Sequence, residues 1–74
     1  MPQKAHVTIT TEHGDVYATA VDLGRYAVKH GADDIGTVRR NKKVGTWTAF
    51  RVDSTEVGDR PTRAAACRAL VEDA

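Results

Sequence analysis

The chain is 74 residues long and holds 18 large apolar side chains, nine of them Val, so a second core is excluded and one small domain over residues 1–74 is expected. Ile, Leu, Val and Phe make up 14 of the 74 residues, a fraction common in disordered chains, but a formal net charge of only +1 removes the self-repulsion that keeps such chains unfolded. The single cysteine excludes an internal disulfide, and the lack of a continuous apolar run in the first 30 residues argues against a membrane span or secretory signal, so a thinly cored cytoplasmic domain is expected.

From the N-terminus, Val7 and Ile9 alternate with His6, Thr8 and Thr10, the period of a half-buried strand. Glu12-His13-Gly14-Asp15 supplies a turn, and Val16 to Val21 reads as the returning strand of a hairpin. Asp22 is placed to cap a short helix in which Leu23, Tyr26, Ala27 and His30 recur at helical spacing, with Gly31 where a helix stops. Gly24 weakens that helix, and a continued strand is the alternative. After Ala32-Asp33-Asp34, a third strand is expected over Ile35–Arg40, a turn over Asn41–Gly45 and a fourth strand over Thr46–Val52. The polar stretch from Asp53 to Arg60 leaves room for a short edge strand at Thr55-Glu56-Val57. Pro61 or Thr62 opens the last helix, since Pro is tolerated in a first turn and Thr can accept a bond from an orphan amide. Arg63, Cys67, Leu70 and Ala74 share one stripe of that helix, flanked by Ala66 and Val71, and its small residues suit close packing on a sheet.

The expected fold is therefore α+β, ββα-ββ(β)α, with an antiparallel sheet and the C-terminal helix packed on one face. Cys67, Leu70 and Val71 are expected to meet Val38, Phe50 and Val52.

Charge is unevenly divided along the chain. Residues 1–37 carry three basic and five acidic side chains, residues 38–74 eight and five. Arg39, Arg40, Lys42, Lys43 and Arg51 fall in one window that contains no carboxylate and also holds Trp47 and Phe50. Basic side chains supply phosphate contacts, a guanidinium can read guanine bidentately, and an aromatic plane can lie against a sugar or base, so these residue types together point to nucleic acid. Solvated charge in the Asn41–Gly45 turn is also what any turn would show. Two arrangements of the fourth strand stand. With Phe50 and Val52 inward, Trp47 and Arg51 occupy the open face beside Arg39. In the other arrangement, Trp47 is the largest core residue of a domain short of large ones.

The run Gly45-Thr46-Trp47-Thr48-Ala49-Phe50-Arg51-Val52-Asp53, followed by Pro61-Thr62-Arg63-Ala64-Ala65-Ala66-Cys67-Arg68-Ala69-Leu70, carries a resemblance. It is similar to the Gly-x-Trp-x-Ala strand and Thr-x-x-x-Ala helix of the three-stranded, sheet-reading DNA-binding domain of plant GCC-box factors and of the arm-binding N-terminal domains of phage integrases. Val38-Arg39-Arg40 resembles that family's basic first strand, and the likeness covers about half of the chain, Gly36 to Leu70. The resemblance implies a sheet that enters the major groove through alternating Arg and Trp side chains with a helix behind it, and so places Arg39, Trp47 and Arg51 at DNA. The chain departs from the family in its extra N-terminal ββα unit and in leaving only Asp53 to Pro61 for a third strand and its turns.

The resulting expectation is a small DNA-binding accessory or regulatory protein from a phage or other mobile element, using a basic sheet face and turn. Its nucleic-acid-binding residues are Arg39, Arg40, Lys42, Lys43, Trp47 and Arg51. The alternative, favoured by a net charge near zero, is a protein-binding module or inhibitor that docks onto a host or partner protein through an exposed sheet face or edge strand. An enzyme is not expected, since no nucleophile, base and oxyanion donor can be grouped. Neither a cofactor nor a metal is expected, because His6, His13, His30 and Cys67 match no zinc spacing and the six glycines are scattered. A homodimer is expected over a monomer: the apolar inventory is small, and the Thr-rich N-terminal hairpin offers an edge to a second copy.

Overall fold

The structure of the protein, a computed structural model, describes residues 6–73. Six strands, β1 (His6–Thr11), β2 (Gly14–Asp22), β3 (Arg25–His30), β4 (Asp33–Asn41), β5 (Thr46–Phe50) and β6 (Glu56–Arg60), precede one helix, α1 (Arg63–Asp73). The strands form one antiparallel sheet in sequence order, each paired with the next. Helix α1 touches both outermost strands as well as β4 and β5, so the sheet curls around it. Ala74, the last residue of the expected helical stripe, lies outside the described residues.

The first hairpin forms where the sequence places it. Gly14 takes φ +105, the Thr11 hydroxyl donates to the Gly14 carbonyl at 2.6 Å, and the His13 amide donates back to Thr11 Oγ1 at 3.0 Å. The expected helix after Asp22 does not form: Leu23 and Gly24 are the turn between β2 and β3, and Arg25–His30 is a strand. Gly24 sits at φ +72, outside the right-handed helical region, and Leu23 is 88% exposed where a helical stripe would bury it. The Asp22 carboxylate does accept the Leu23 amide, at 2.8 Å, but as turn chemistry. Tyr26 and Val28 then turn inward at a period of two, which outweighs the helical spacing of Leu23, Tyr26, Ala27 and His30. The expected ββα-ββ(β)α order is thus replaced by a six-stranded meander followed by a helix, and the domain is mostly sheet.

Strand limits also move. β4 begins at Asp33, and β5 stops at Phe50 because Arg51 to Thr55 folds into a tight bend: the Arg51 amide donates to the Thr55 carbonyl at 2.8 Å and the Ser54 amide to the Arg51 carbonyl at 2.9 Å. β6 covers Glu56–Arg60 in place of the expected edge strand at Thr55–Val57. Register shifts between β3 and β4 and between β5 and β6 leave Ile35 and Val57 as extra bulge residues, and both pack against the core.

The core lies between one sheet face and α1. Ile9, Val16, Ala18, Val28, Val38 and Ala49 supply the sheet side, and Ala66, Cys67, Leu70 and Val71 the helix side. Phe50 and Val52 are not part of it, contrary to expectation. Val38 pairs with Ala49, so strand alternation puts Ala49 and Trp47 on the helix side and Phe50 on the other, while Val52 falls beyond the end of β5 and is 69% exposed. Thr62 caps the helix as its chemistry predicts, with the Ala65 amide donating to Thr62 Oγ1 at 3.1 Å.

Burial decides the chemistry of Cys67. Desolvation pushes its thiol up from 9.0 to about 11, against a smaller opposing pull from the Arg63 charge. A thiol raised in the folded state stays protonated while the unfolded chain ionises, so its contribution to stability declines as pH rises from 9.0 towards about 11. Native protein is expected to resist alkylation by iodoacetamide at neutral pH and to react once unfolded in urea. Native alkylation at the rate of a free thiol would show that the helix does not seal this position.

Candidate nucleic-acid interface

The β4–β5 hairpin overhangs its neighbours. Its pairing continues to Asn41↔Thr46, whereas the last partner of β3 on β4 is Arg39, through Arg25↔Arg39, and that of β6 on β5 is Trp47, through Trp47↔Arg60. Asn41 holds the tip: its carbonyl accepts the Gly45 amide at 2.8 Å and its side-chain Oδ1 accepts the Lys43 amide at 3.1 Å, while Gly45 takes φ +72. The Arg40 amide donates to the Gly24 carbonyl at 2.7 Å and ties the hairpin base to the β2–β3 turn.

Residues 39–45 are all exposed, so the charges of Arg39 and Arg40 stand in solvent at the base of the projection and those of Lys42 and Lys43 at its tip. Among the described residues none of these four makes an ion pair. The Arg39 guanidinium lies 6.0 Å from the centre of the Phe50 ring on the face of the sheet away from the helix. Together with Asn41, Thr48 and Glu56 these side chains line an open concavity of about 490 Å³.

Trp47 and Arg51 stand elsewhere. Trp47 points to the helix side, half-buried, with its ring 5.9 Å from that of Tyr26 at 57°. The Arg63 guanidinium, in the first turn of α1, lies 4.8 Å from the Tyr26 ring centre and 5.9 Å from that of Trp47. Arg51 sits beyond the far end of β5, in the bend beside Asp53. Hydrogen bonds from Thr55 hold the Asp53 carboxyl below its usual range, and the Arg51 charge adds to that pull. The open-face arrangement of Arg39, Trp47 and Arg51 is therefore not assembled, because Arg39 pairs with Thr48 and alternation sends Trp47 to the opposite face. Phe50, expected in the core, is the aromatic that shares a face with Arg39.

The meander also sorts charge along its strands. Because successive strands reverse direction through short turns, their ends collect at two opposite ends of the molecule. One end, which includes the β4–β5 turn and the start of α1, carries Arg25, Arg39, Arg40, Lys42, Lys43, Arg60 and Arg63. The described carboxylates there are Asp22, 3.6 Å from Arg25, and Asp59, which accepts a hydrogen bond from the Thr48 hydroxyl, and Glu56 lines the concavity beside Arg39. The other end carries Glu12, Asp15, Asp33, Asp34, Asp53 and Glu72 against Lys29, Arg51 and Arg68, and Lys29 lies 3.8 Å from Asp34. A net charge of +1 thus conceals a strongly polar molecule.

Helix α1 adds to the polarity. Its positive dipole end lies at the basic end of the molecule, and it has no acid in its first turn and no base in its last. That charge order opposes its own dipole, an arrangement worth roughly 0.3–1 kcal/mol per misplaced charge.

His30 Nε2 donates to the His13 carbonyl at 2.7 Å, and Cys67 is buried under the helix. Among the described residues, no three of His, Cys, Asp and Glu are grouped so as to hold a metal ion, and no helix is long and apolar enough to cross a membrane. No family model, curated protein sequence or solved structure matches the chain.

Proposed function

We propose that this protein binds duplex DNA through the overhanging β4–β5 hairpin, as a small accessory or regulatory factor. The observation that carries this reading is the grouping of Arg39 and Arg40 at the base and Lys42 and Lys43 at the tip of one hairpin, whose Asn41–Thr46 end projects past the neighbouring strands, with no ion-pair partner for any of the four among the described residues. Basic side chains without an ion-pair partner gain most from phosphate, because binding releases condensed counterions and no internal pair has to be broken. The projecting pair Asn41↔Thr46 and its turn are narrow enough to enter the major groove, about 12 Å wide.

The parts divide the work by position. Lys42 and Lys43, at the tip, act as phosphate contacts. Arg39, steadied over Phe50, presents a guanidinium at the concave flank of the hairpin, where a base edge or phosphate can be met bidentately. Arg40 supplies charge on the helix-side flank. Trp47, packed with Tyr26 and Arg63, supports the hairpin from behind and makes no contact with DNA in this reading. The polarity of the whole molecule orients it on approach, with the acidic end held away from the duplex.

Anisotropy of a labelled random-sequence duplex, titrated at several salt concentrations, tests this. Four phosphate contacts are expected to give a slope of log K against log salt of about −3.6. No binding at low salt, or binding indifferent to salt, would reject the reading.

A further inference from the structure

We propose that β1 is the seam of a homodimer, in which a second copy of this chain lays its own β1 antiparallel against the first and joins the two sheets into one. The sheet is open at both sides, so β1 and β6 each have a neighbour strand on one side only. The two edges are built differently. β6 is broken by a register shift opposite Ala49/Phe50, carries Glu56, Asp59 and Arg60, and runs into Pro61, all of which discourage addition of a strand. β1, with the sequence His6-Val7-Thr8-Ile9-Thr10-Thr11, has no formal charge, proline or glycine, and its pairing with β2 runs without a shift from Thr11↔Gly14 to His6↔Thr19.

The first turn decides which backbone groups face outward. Glu12 and His13 form a two-residue turn, so Thr11↔Gly14 is the hydrogen-bonded closing pair, and Ile9 and Val7 follow it in bonding to β2. Thr8 and Thr10 then direct their N–H and C=O groups away from the sheet. Arg68 Nε reaches the Thr10 carbonyl at 3.4 Å from the helix, as that geometry requires. The outward backbone groups of Thr8 have no partner among the described residues, whereas Arg68 sits on the Thr10 carbonyl through a long contact that an incoming strand displaces.

Two features select a second copy as the occupant. Residues opposite each other in an antiparallel pair share a face, so β1 against β1 keeps Val7 and Ile9 on the helix side of both chains and Thr8 and Thr10 on the other, with no charge meeting its own kind across the seam. The twofold axis also reverses one copy relative to the other. Each basic end is thereby set alongside the acidic end of the partner, including Glu12 and Asp15 beside β1. The polarity that would push parallel copies apart draws antiparallel ones together. The seam is independent of the DNA reading and is tested without DNA.

Sedimentation equilibrium of the full chain at high micromolar concentration is expected to give a dimer. With Thr8 opposite Thr8 at the twofold axis, Thr8→Lys and Thr8→Glu each set like charges against one another at the seam, and each alone is expected to be a monomer with an unchanged far-UV spectrum. Mixing the two is expected to restore a dimer containing one of each. Should either Thr8 variant fail to fold, Thr8→Arg and Thr8→Asp make the same comparison at the same position. A monomeric wild type would overturn the proposal, as would a dimer that survives in both variants alone or a mixture that stays monomeric.

Discussion

Gly36→Ala is expected to destabilise the protein by roughly 3–5 kcal/mol, the sum of overpacking and a left-handed backbone position. Gly36 is buried on β4 at φ +147, next to the bulge at Ile35. A Cβ there would be driven into the Phe50 carbonyl oxygen and would come within 3.1 Å of Leu70 Cδ2. One neighbour is strand backbone and the other belongs to the most deeply buried large side chain of the helix, so neither can give way. Gly31 is the control: it also has positive φ, at +64, but a Cβ there meets nothing within 4 Å. Gly31→Ala should cost only about 1–2 kcal/mol. Urea unfolding of the two variants checks the difference, and equal costs would mean that the close approach of β4, β5 and α1 at Gly36 is misdrawn.

Trp47→Ala is expected to cost about 3 kcal/mol, while Phe50→Ala costs under about 1.5 kcal/mol. Trp47 joins the core with Tyr26 and carries Arg63 across its ring, so truncation opens the space between β3, β5 and the start of α1. Phe50 lies on the outer face, where water already reaches part of its ring and Arg39 covers another part. Thermal or urea melts that reverse this order would put Phe50 in the core and Trp47 on the open face.

These two residues show how far the sequence could be read. The alternation of residues 46–50 made clear that Trp47 and Phe50 oppose one another, but which of them faces the helix depends on pairing with Val38, a contact that local pattern does not carry. The Thr62 cap and the first hairpin were legible because each is decided within a few residues by hydroxyl, amide and glycine chemistry. The false helix at Leu23–His30 arose because a six-residue strand and its turn can also satisfy a helical spacing, and only tertiary burial separates the two periods. Clustering of Arg39, Arg40, Lys42 and Lys43 was visible as a window without carboxylates. The overhang of the hairpin tip that carries Lys42 and Lys43 was not, since it depends on where β3 and β6 stop pairing, and the end-to-end segregation of charge required the strand order.

The role of the hairpin is tested most directly by the salt dependence of duplex binding in three proteins measured side by side: the wild type, the quadruple variant Arg39→Ala/Arg40→Ala/Lys42→Ala/Lys43→Ala, and Lys29→Ala. The four substituted positions are exposed and outside the core, so folding should be retained, which a melt confirms. Lys29 is paired with Asp34 at the acidic end, and its loss should leave both affinity and salt slope as in the wild type. The quadruple variant should lose essentially all of the slope of about −3.6 and with it measurable affinity at moderate salt. A folded quadruple variant that binds duplex with the wild-type slope would contradict the assignment of DNA binding to this hairpin.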